Sequence, residues 1–97
     1  MTTAPDRPYL LRLYVTDASP KSARAIVNLR RLLDVHLADR YTLEILNVAS
    51  HVAKATEDQI VCVPTLLRLA PLPLRRIIGD MSDAARVLTG LDVPQAS

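Results

Sequence analysis

One cysteine and two histidines are the side chains of this sequence best suited to nucleophilic, redox or metal chemistry. A thiol oxidoreductase needs a thiolate, usually paired as Cys-x-x-Cys at the start of a helix. Cys62 has no such partner, so it is predicted to be a buried structural thiol. His36 and His51 show no metal-ligand spacing and are predicted to be solvated. The sequence therefore predicts a protein without catalytic residues, cofactor or metal.

Arginines form a second informative group, of which four stand out: Arg24, Arg68, Arg75 and Arg76. They can converge on one basic surface or remain scattered and solvated. Nucleic-acid binding would favour aromatic side chains that stack on bases, but the chain has three tyrosines and no tryptophan or phenylalanine. A mild net charge of +2 favours an acidic protein partner instead, because complementary charge speeds and orients docking.

Apolar spacing and proline positions indicate the elements that carry these side chains. Strands are predicted over 9–16, 42–48, 65–70 and 74–78, and helices over 20–37 and 82–89. The polar segment 49–59 is predicted to be a short helix or an irregular crossover. Ser19 and Pro20 have the residue types of an N-cap and a first helical position. Asp80, with Asp83 three residues on, is predicted to cap the last helix, which should close at Gly90.

This order, β-α-β-α-β-β-α, predicts a single α/β domain with the thioredoxin arrangement. Strands that alternate with helices favour parallel pairing, whereas the closely spaced last two strands favour an antiparallel hairpin. The predicted division is a loose N-terminus over 1–8, the domain over 9–93 and a tail over 94–97. No apolar run approaches the ~20 residues that span a bilayer. No secretory signal is recognised, so we expect a cytoplasmic protein that binds neither membrane nor nucleic acid.

The stretch VPTLLRLAPLPLRRIIGDMSD, followed by VLTGLDV, resembles the C-terminal half of the KaiB family of circadian clock proteins. YLLRLYVTDASPKSARAIVNL similarly resembles the first strand and helix of that family. The resemblance runs from about Tyr9 to Val93. It implies a thioredoxin-like fold in the partner-bound state and a different fold of the C-terminal half at rest.

The same resemblance implies a regulator without chemistry of its own. Members of the family bind KaiC, a RecA-like ATPase, sequester KaiA and compete with a related domain of a sensor kinase. It further implies a homo-oligomer, a tetramer or dimer, at rest and a monomer when bound. In a bacterium without a full oscillator, a KaiC-like ATPase would be the partner, in timing or stress signalling. The alternative hypothesis is a thioredoxin-like redox or chaperone protein, which an insulin-reduction assay would reveal.

Residue by residue, the resemblance assigns two sets of positions. Basic residues near the KaiC-facing surface of the family correspond to Arg24, Arg68, Arg75 and Arg76. Positions tied to the change of fold correspond to Pro64, Pro71, Pro73, Gly90 and Asp92. Glu44 stands where lysine is common, on the second strand, in the region that holds KaiA.

Overall fold

A computed structural model describes residues 8–17 and 19–93 of the chain. Its elements follow the predicted order: β1 (Tyr9–Val15), α1 (Pro20–His36), β2 (Tyr41–Asn47), α2 (Val52–Glu57), β3 (Thr65–Ala70), β4 (Arg75–Ile78) and α3 (Ala84–Gly90). The predicted loose N-terminus, apart from Pro8, and the predicted tail over 94–97 lie outside the described residues. Within the described ranges, no helix is both long and apolar enough to cross a membrane.

The four strands form one mixed sheet in the order β2-β1-β3-β4. β1 pairs with β2 in parallel and with β3 antiparallel, and β3 and β4 form an antiparallel hairpin. Both the predicted parallel pair and the predicted hairpin are therefore confirmed. β2 and β4 are the edge strands of this sheet, and their outer backbone groups are open to further pairing.

Helices cover both faces of the sheet. Side chains alternate along a strand, so each strand contributes to two cores. The larger core joins the sheet to α1 and α3 and includes Leu11, Leu13, Leu29, Leu33, Leu66, Val87 and Leu91. The smaller core joins the opposite face to α2 and consists of Tyr14, Leu46, Ala55 and Leu67.

The first helix begins as its sequence predicts. The hydroxyl oxygen of Ser19 accepts a hydrogen bond from the backbone N–H of Ser22 at 3.1 Å, and Pro20 is the first helical residue. Leu29 and Leu33 are fully buried against the sheet, as their spacing predicts.

The predicted start of the last helix is wrong by two residues. α3 begins at Ala84, and its N-cap is Asp83, which accepts from the backbone N–H of Arg86 at 3.1 Å. Asp80 instead accepts from the backbone N–H of Ser82 at 3.0 Å and closes a turn before the helix. Met81 would be the first helical residue after an N-cap at Asp80, but its φ of 62° is left-handed and excludes it from a helix.

Other boundaries differ by one residue. β2 begins and ends one residue earlier than predicted, and β4 begins at Arg75 rather than at 74. A short α2 resolves the alternatives for 49–59 in favour of a helix over its central part.

Candidate partner-binding surface

Arg75 and Arg76 lie on β4, an edge strand, and both are exposed. Ile77 is buried in the core with α1 and α3, so Arg75, two residues before it, shares that face. Arg76 lies on the α2 face, where Nη2 donates to the carbonyl oxygen of Asp58 at 2.9 Å and Nη1 to that of Gln59 at 3.4 Å. The pair therefore presents one guanidinium on each side of the edge strand.

Arg24 reaches the end of the same strand from α1. Its Nε lies 3.5 Å from Oδ2 of Asp80, which follows β4 after Gly79. The amide of Asn28, one turn further along α1, donates to the carbonyl oxygen of Asp80 at 3.0 Å. Hydrogen bonds from Ser82 and then Arg24 lower the pKa of Asp80, so this carboxylate remains charged beside Arg24.

Arg68 does not join this surface. It is 2% exposed, with Nη1 donating to the carbonyl oxygen of Leu91 at 2.6 Å and Nη2 to that of Pro73 at 2.8 Å. Of the two alternatives, one open surface shared by all four arginines is therefore not what this structure has. Three lie around β4, whereas Arg68 is held inside because two carbonyl oxygens accept from its guanidinium.

An apolar groove of about 350 Å³ lies on the α2 face, and Gln59, whose carbonyl oxygen accepts from Arg76, directly precedes Ile60 of its lining. It is lined by Val48, Val52, Ala55, Thr56, Ile60, Val61, Cys62 and Val63. Val61 is 90% exposed. Cys62 is also exposed, so the prediction of a buried thiol is wrong. It lies in the loop that leads into β3 rather than on the strand, where alternation would have placed its side chain on a covered face.

A polar network on the same face of the sheet was not anticipated from the sequence. Arg12 Nε donates to Oε1 of Glu44 at 2.7 Å, and Arg12 Nη1 to Oδ2 of Asp58 at 2.9 Å. The hydroxyl of Tyr14 donates to the same Asp58 oxygen at 2.6 Å. The signal was Arg12 itself, the single charge in the strand YLLRLYV, because a charge on a covered strand requires hydrogen-bond acceptors or opposite charges as partners.

Ionisation in this network follows from burial and hydrogen bonding. Burial alone would raise the pKa of Asp58, but hydrogen bonds from Tyr14 and Arg12 outweigh it, and the pKa is lowered. The hydrogen bond from Arg12 to Glu44 lowers the pKa of the Glu44 carboxyl group. Burial, and then the bond to Asp58, raises the pKa of Tyr14 to about 12. Two carboxylates and one guanidinium thus remain charged at neutral pH.

The positions assigned to a change of fold lie in two places. Pro64 precedes β3, and Pro71 and Pro73 lie in the connection to β4; all three peptides that precede them are cis. Gly90 is the last residue of α3, and Asp92 follows it with a φ of 59°. The hydroxyl of Tyr9 donates to the carbonyl oxygen of Asp92 at 3.3 Å, which attaches this turn to β1.

The histidines lie apart from one another in the fold. His36 ends α1, and His51 is the N-cap residue of α2, with Nδ1 3.1 Å from the carbonyl oxygen of Asn47. Across residues 8–17 and 19–93, no group of three or more histidine, cysteine or acidic side chains is placed to hold a metal.

The fold and the start of α1 together define a class, the thioredoxin-like proteins that have no cysteine pair at the first helix. The N-terminal domain of SasA from Synechococcus elongatus superimposes with a TM-score of 0.74 at 24% identity, covering 100% of this chain and 92% of that one. Mitochondrial thioredoxin 3 of Saccharomyces cerevisiae gives 0.72 at 15% identity, covering 89% and 78%. These likenesses confirm the thioredoxin-like fold and, at such identities, the fold alone.

Sequence comparison identifies the family. The model of the KaiB domain matches residues 12–93. The circadian clock oscillator protein KaiB of Synechococcus elongatus is 43% identical over 90 residues, which cover 93% of this chain and 88% of that protein. The circadian clock protein KaiB3 of Synechocystis sp. is 45% identical over 84 residues, covering 87% and 82%. The chain belongs to the KaiB family of circadian clock proteins, as its resemblance predicted.

Proposed function

We propose that the protein is a non-catalytic, cytoplasmic regulator that docks on a KaiC-like ATPase of the RecA class. It would act in a circadian clock or in a related bacterial timing or stress-signalling system. The observation that carries the proposal is membership of the KaiB family over residues 12–93, nearly the whole described domain. The structural likeness to the N-terminal domain of SasA supports the thioredoxin-like fold alone.

The proposed docking surface is the outer side of β4, with its two arginines and Arg24 of α1. A partner that covers an edge strand contacts side chains from both faces of the sheet, because they alternate along the strand. It would therefore contact Arg75 on one side and Arg76 on the other, with Arg24 near the end of the strand. We propose that acidic residues of the ATPase lie opposite these guanidinium groups.

The groove beside Arg76 supplies apolar area to the same surface. Stable interfaces combine a desolvated apolar centre with a charged rim. Val52 and Val61 are 64% and 90% exposed, so covering them with partner atoms would remove apolar surface from water. Arg76 would then lie at the boundary between the apolar and the charged parts of the interface.

The double substitution Arg75→Glu with Arg76→Glu tests this surface. We expect the affinity for the organism's own KaiC-like protein to fall by about tenfold or more at low salt, because attraction becomes repulsion. Binding would be measured by interferometry with and without ATP, and circular dichroism would establish that the variant is folded.

The matched control is Arg30→Glu with Arg40→Glu, which makes the same change in charge. Arg30 is exposed on α1, and exposed Arg40 immediately precedes β2, the opposite edge of the sheet. This pair should retain affinity. Equal weakening by both pairs would assign the effect to net charge, and unchanged affinity of the β4 pair would remove it from the interface.

We also propose, from the resemblance, a second arrangement of residues 60–92 in a resting tetramer or dimer, with the thioredoxin-like form as the bound monomer. Pro64, Pro71, Pro73, Gly90 and Asp92 are the positions proposed to govern the exchange. KaiA or a sensor kinase would act as a further ligand or competitor. Backbone chemical shifts of residues 60–92, recorded with and without the ATPase, test this proposal.

The exposed thiol of Cys62, in the loop before β3, is the observation that favours a redox alternative. A redox protein would reduce insulin with turnover, and Cys62→Ala would abolish that turnover. We expect no turnover, because neither Asp17 nor Ser19 at the start of α1 supplies a thiol.

A further inference from the structure

Arg68 carries a charge inside the protein without a carboxylate partner in the described part of the chain. The ion pairs found there involve Arg12 and Arg24, not Arg68. Its side chain is 2% exposed, and its Nε is buried without any hydrogen-bond partner. A buried charge is costly unless hydrogen bonds replace its lost water. The bonds that Arg68 does make therefore indicate why it is there.

One of these bonds serves the C-terminal end of α3. The last carbonyl groups of a helix lack partners within the helix, and a cation near them is favourable. α3 has no basic residue in its last turn. Nη1 of Arg68 donates to the carbonyl oxygen of Leu91, the C-cap residue, at 2.6 Å. Strand β3 thus supplies the cation that the sequence of the helix omits.

The second bond reaches a different segment. Nη2 of Arg68 donates to the carbonyl oxygen of Pro73 at 2.8 Å, in the connection between β3 and β4. Proline has no backbone N–H, so the 71–73 connection has few donors of its own with which to attach itself to the sheet. One guanidinium therefore holds two segments that make no other hydrogen bond to each other among the described residues.

We infer that Arg68 is an internal clamp that joins the end of α3 to the proline-containing connection, rather than a residue that contacts a partner. Both segments are bonded to one side chain, so removing its donors would loosen both. Leu91 and Val93 are buried at 0% and 6% exposure, so the clamped turn is also packed against the core. This inference stands on intramolecular contacts and does not depend on which protein is bound.

A direct test uses the NMR signal of the arginine side chains in the full chain, under conditions where the backbone shifts of residues 60–92 are those of the thioredoxin-like form. The Nε–Hε proton of Arg68 should exchange slowly with water, because it is buried, whereas that of exposed Arg75 should exchange fast. Equal exchange at the two arginines would place Arg68 at the surface and overturn the inference.

A second test uses Arg68→Met, which removes both donors and the charge at similar length. Amide hydrogen exchange should accelerate at least about tenfold at Leu91, Asp92 and Val93, since hydrogen bonds from a charged donor are lost. The matched control is Arg75→Met, because Arg75 lies opposite Arg68 in the β3–β4 register but is exposed. It should leave exchange at these amides unchanged.

If Arg68→Met fails to fold, Arg68→Lys provides the same test. Lysine keeps the charge, but its single ammonium lacks the fork that spans both carbonyl oxygens. Exchange at the three amides should therefore accelerate with Arg68→Lys as well, while the β1–β2 amides stay protected. If the Arg68 variants kept the end of α3 protected from exchange but lost ATPase binding, Arg68 would be a docking residue and the clamp would be overturned. Loss of binding by the Arg75 and Arg76 variants alone would concern the proposed function only.

Discussion

Asp58, the residue after the short helix α2, accepts hydrogen bonds from three side chains. Its carboxylate accepts from Arg12 and Tyr14, and its carbonyl oxygen accepts from Arg76. The pKa of Asp58 is lowered in the folded protein. Because the pKa of Asp58 is lower in the folded than in the unfolded protein, its ionisation stabilises the fold at pH values above the unfolded pKa of about 3.9. This stabilisation is lost as the pH falls through the pKa of Asp58 in the folded protein.

Asp58→Asn should therefore destabilise the protein in a pH-dependent way. At pH 7 the free energy of unfolding should fall by about 1–3 kcal/mol, because hydrogen bonds to a charged acceptor are weakened. The difference from the wild type should shrink below about pH 4, where the carboxylate of the unfolded chain is protonated. Urea unfolding at both pH values measures it.

Glu44→Gln is the control for Asp58→Asn, since Glu44 binds the same arginine but its side chain is 41% exposed, against 20% for Asp58. A smaller effect is expected there, because solvent screens the pair. A difference between wild type and Asp58→Asn that stays constant with pH would show that shape, not charge, matters at position 58.

Sequence reasoning at the scale of single residues succeeded where the cause was local. Ser19 and Pro20 were recognised because a helix start needs only neighbouring groups. Arg68 was misplaced because its acceptors, Pro73 and Leu91, are brought to it by tertiary structure. The exposure of Cys62 likewise depends on where the loop before β3 turns, which apolar composition does not reveal.

The last helix shows a conflict between intrinsic preference and packing. Gly90 lies in the last turn of α3, with a φ outside the left-handed region. Alanine there would gain up to about 1 kcal/mol from helix propensity. However, a Cβ at position 90 would lie 2.8 Å from Cδ1 and 2.9 Å from Cγ1 of Ile77. Glycine is needed for close approach to β4, not for a special backbone angle.

Gly90→Ala should therefore lower the free energy of unfolding by about 1–3 kcal/mol through overpacking. Ile77→Val removes Cδ1 and lets the remaining γ carbons rotate. In that background Gly90→Ala should cost less, with a coupling energy of about 0.5 kcal/mol or more in a double-mutant cycle. Chemical denaturation of the four proteins supplies the cycle. Stabilisation by Gly90→Ala alone would mean that propensity outweighs the contact.

The ends of a helix or strand could be predicted where one local residue type, such as proline, marks them. β3 has its predicted bounds because Pro64 and Pro71 flank it. The start of α3 was misjudged because both Asp80 and Asp83 are suitable caps, and only the left-handed φ of Met81 decides between them. The β-α-β-α-β-β-α order needed no such detail, since alternation and period alone define it.

For the whole molecule, the two proposed arrangements differ in both oligomeric state and backbone conformation, and both differences can be measured. Light scattering should show a tetramer or dimer for the free protein and single copies bound to the ATPase. Over residues 60–92, backbone shifts should change between these states, while those of β1 and α1 remain. A gap of only a few kcal/mol lets a partner select one arrangement. One unchanged set of shifts and one mass in both conditions would contradict it.

The polar network around Arg12 and Asp58 runs across the whole sheet, from one edge strand to the other. Glu44 is on one edge strand and Arg76 on the other, and Arg12 and Asp58 connect them through contacts of 2.7, 2.9 and 2.9 Å. A molecule that draws Glu44 away from Arg12 would leave Asp58 as the carboxylate paired with that guanidinium. The network is thus a continuous run of hydrogen bonds from one edge strand to the other, and any coupling between molecules bound at the two edges would be reciprocal.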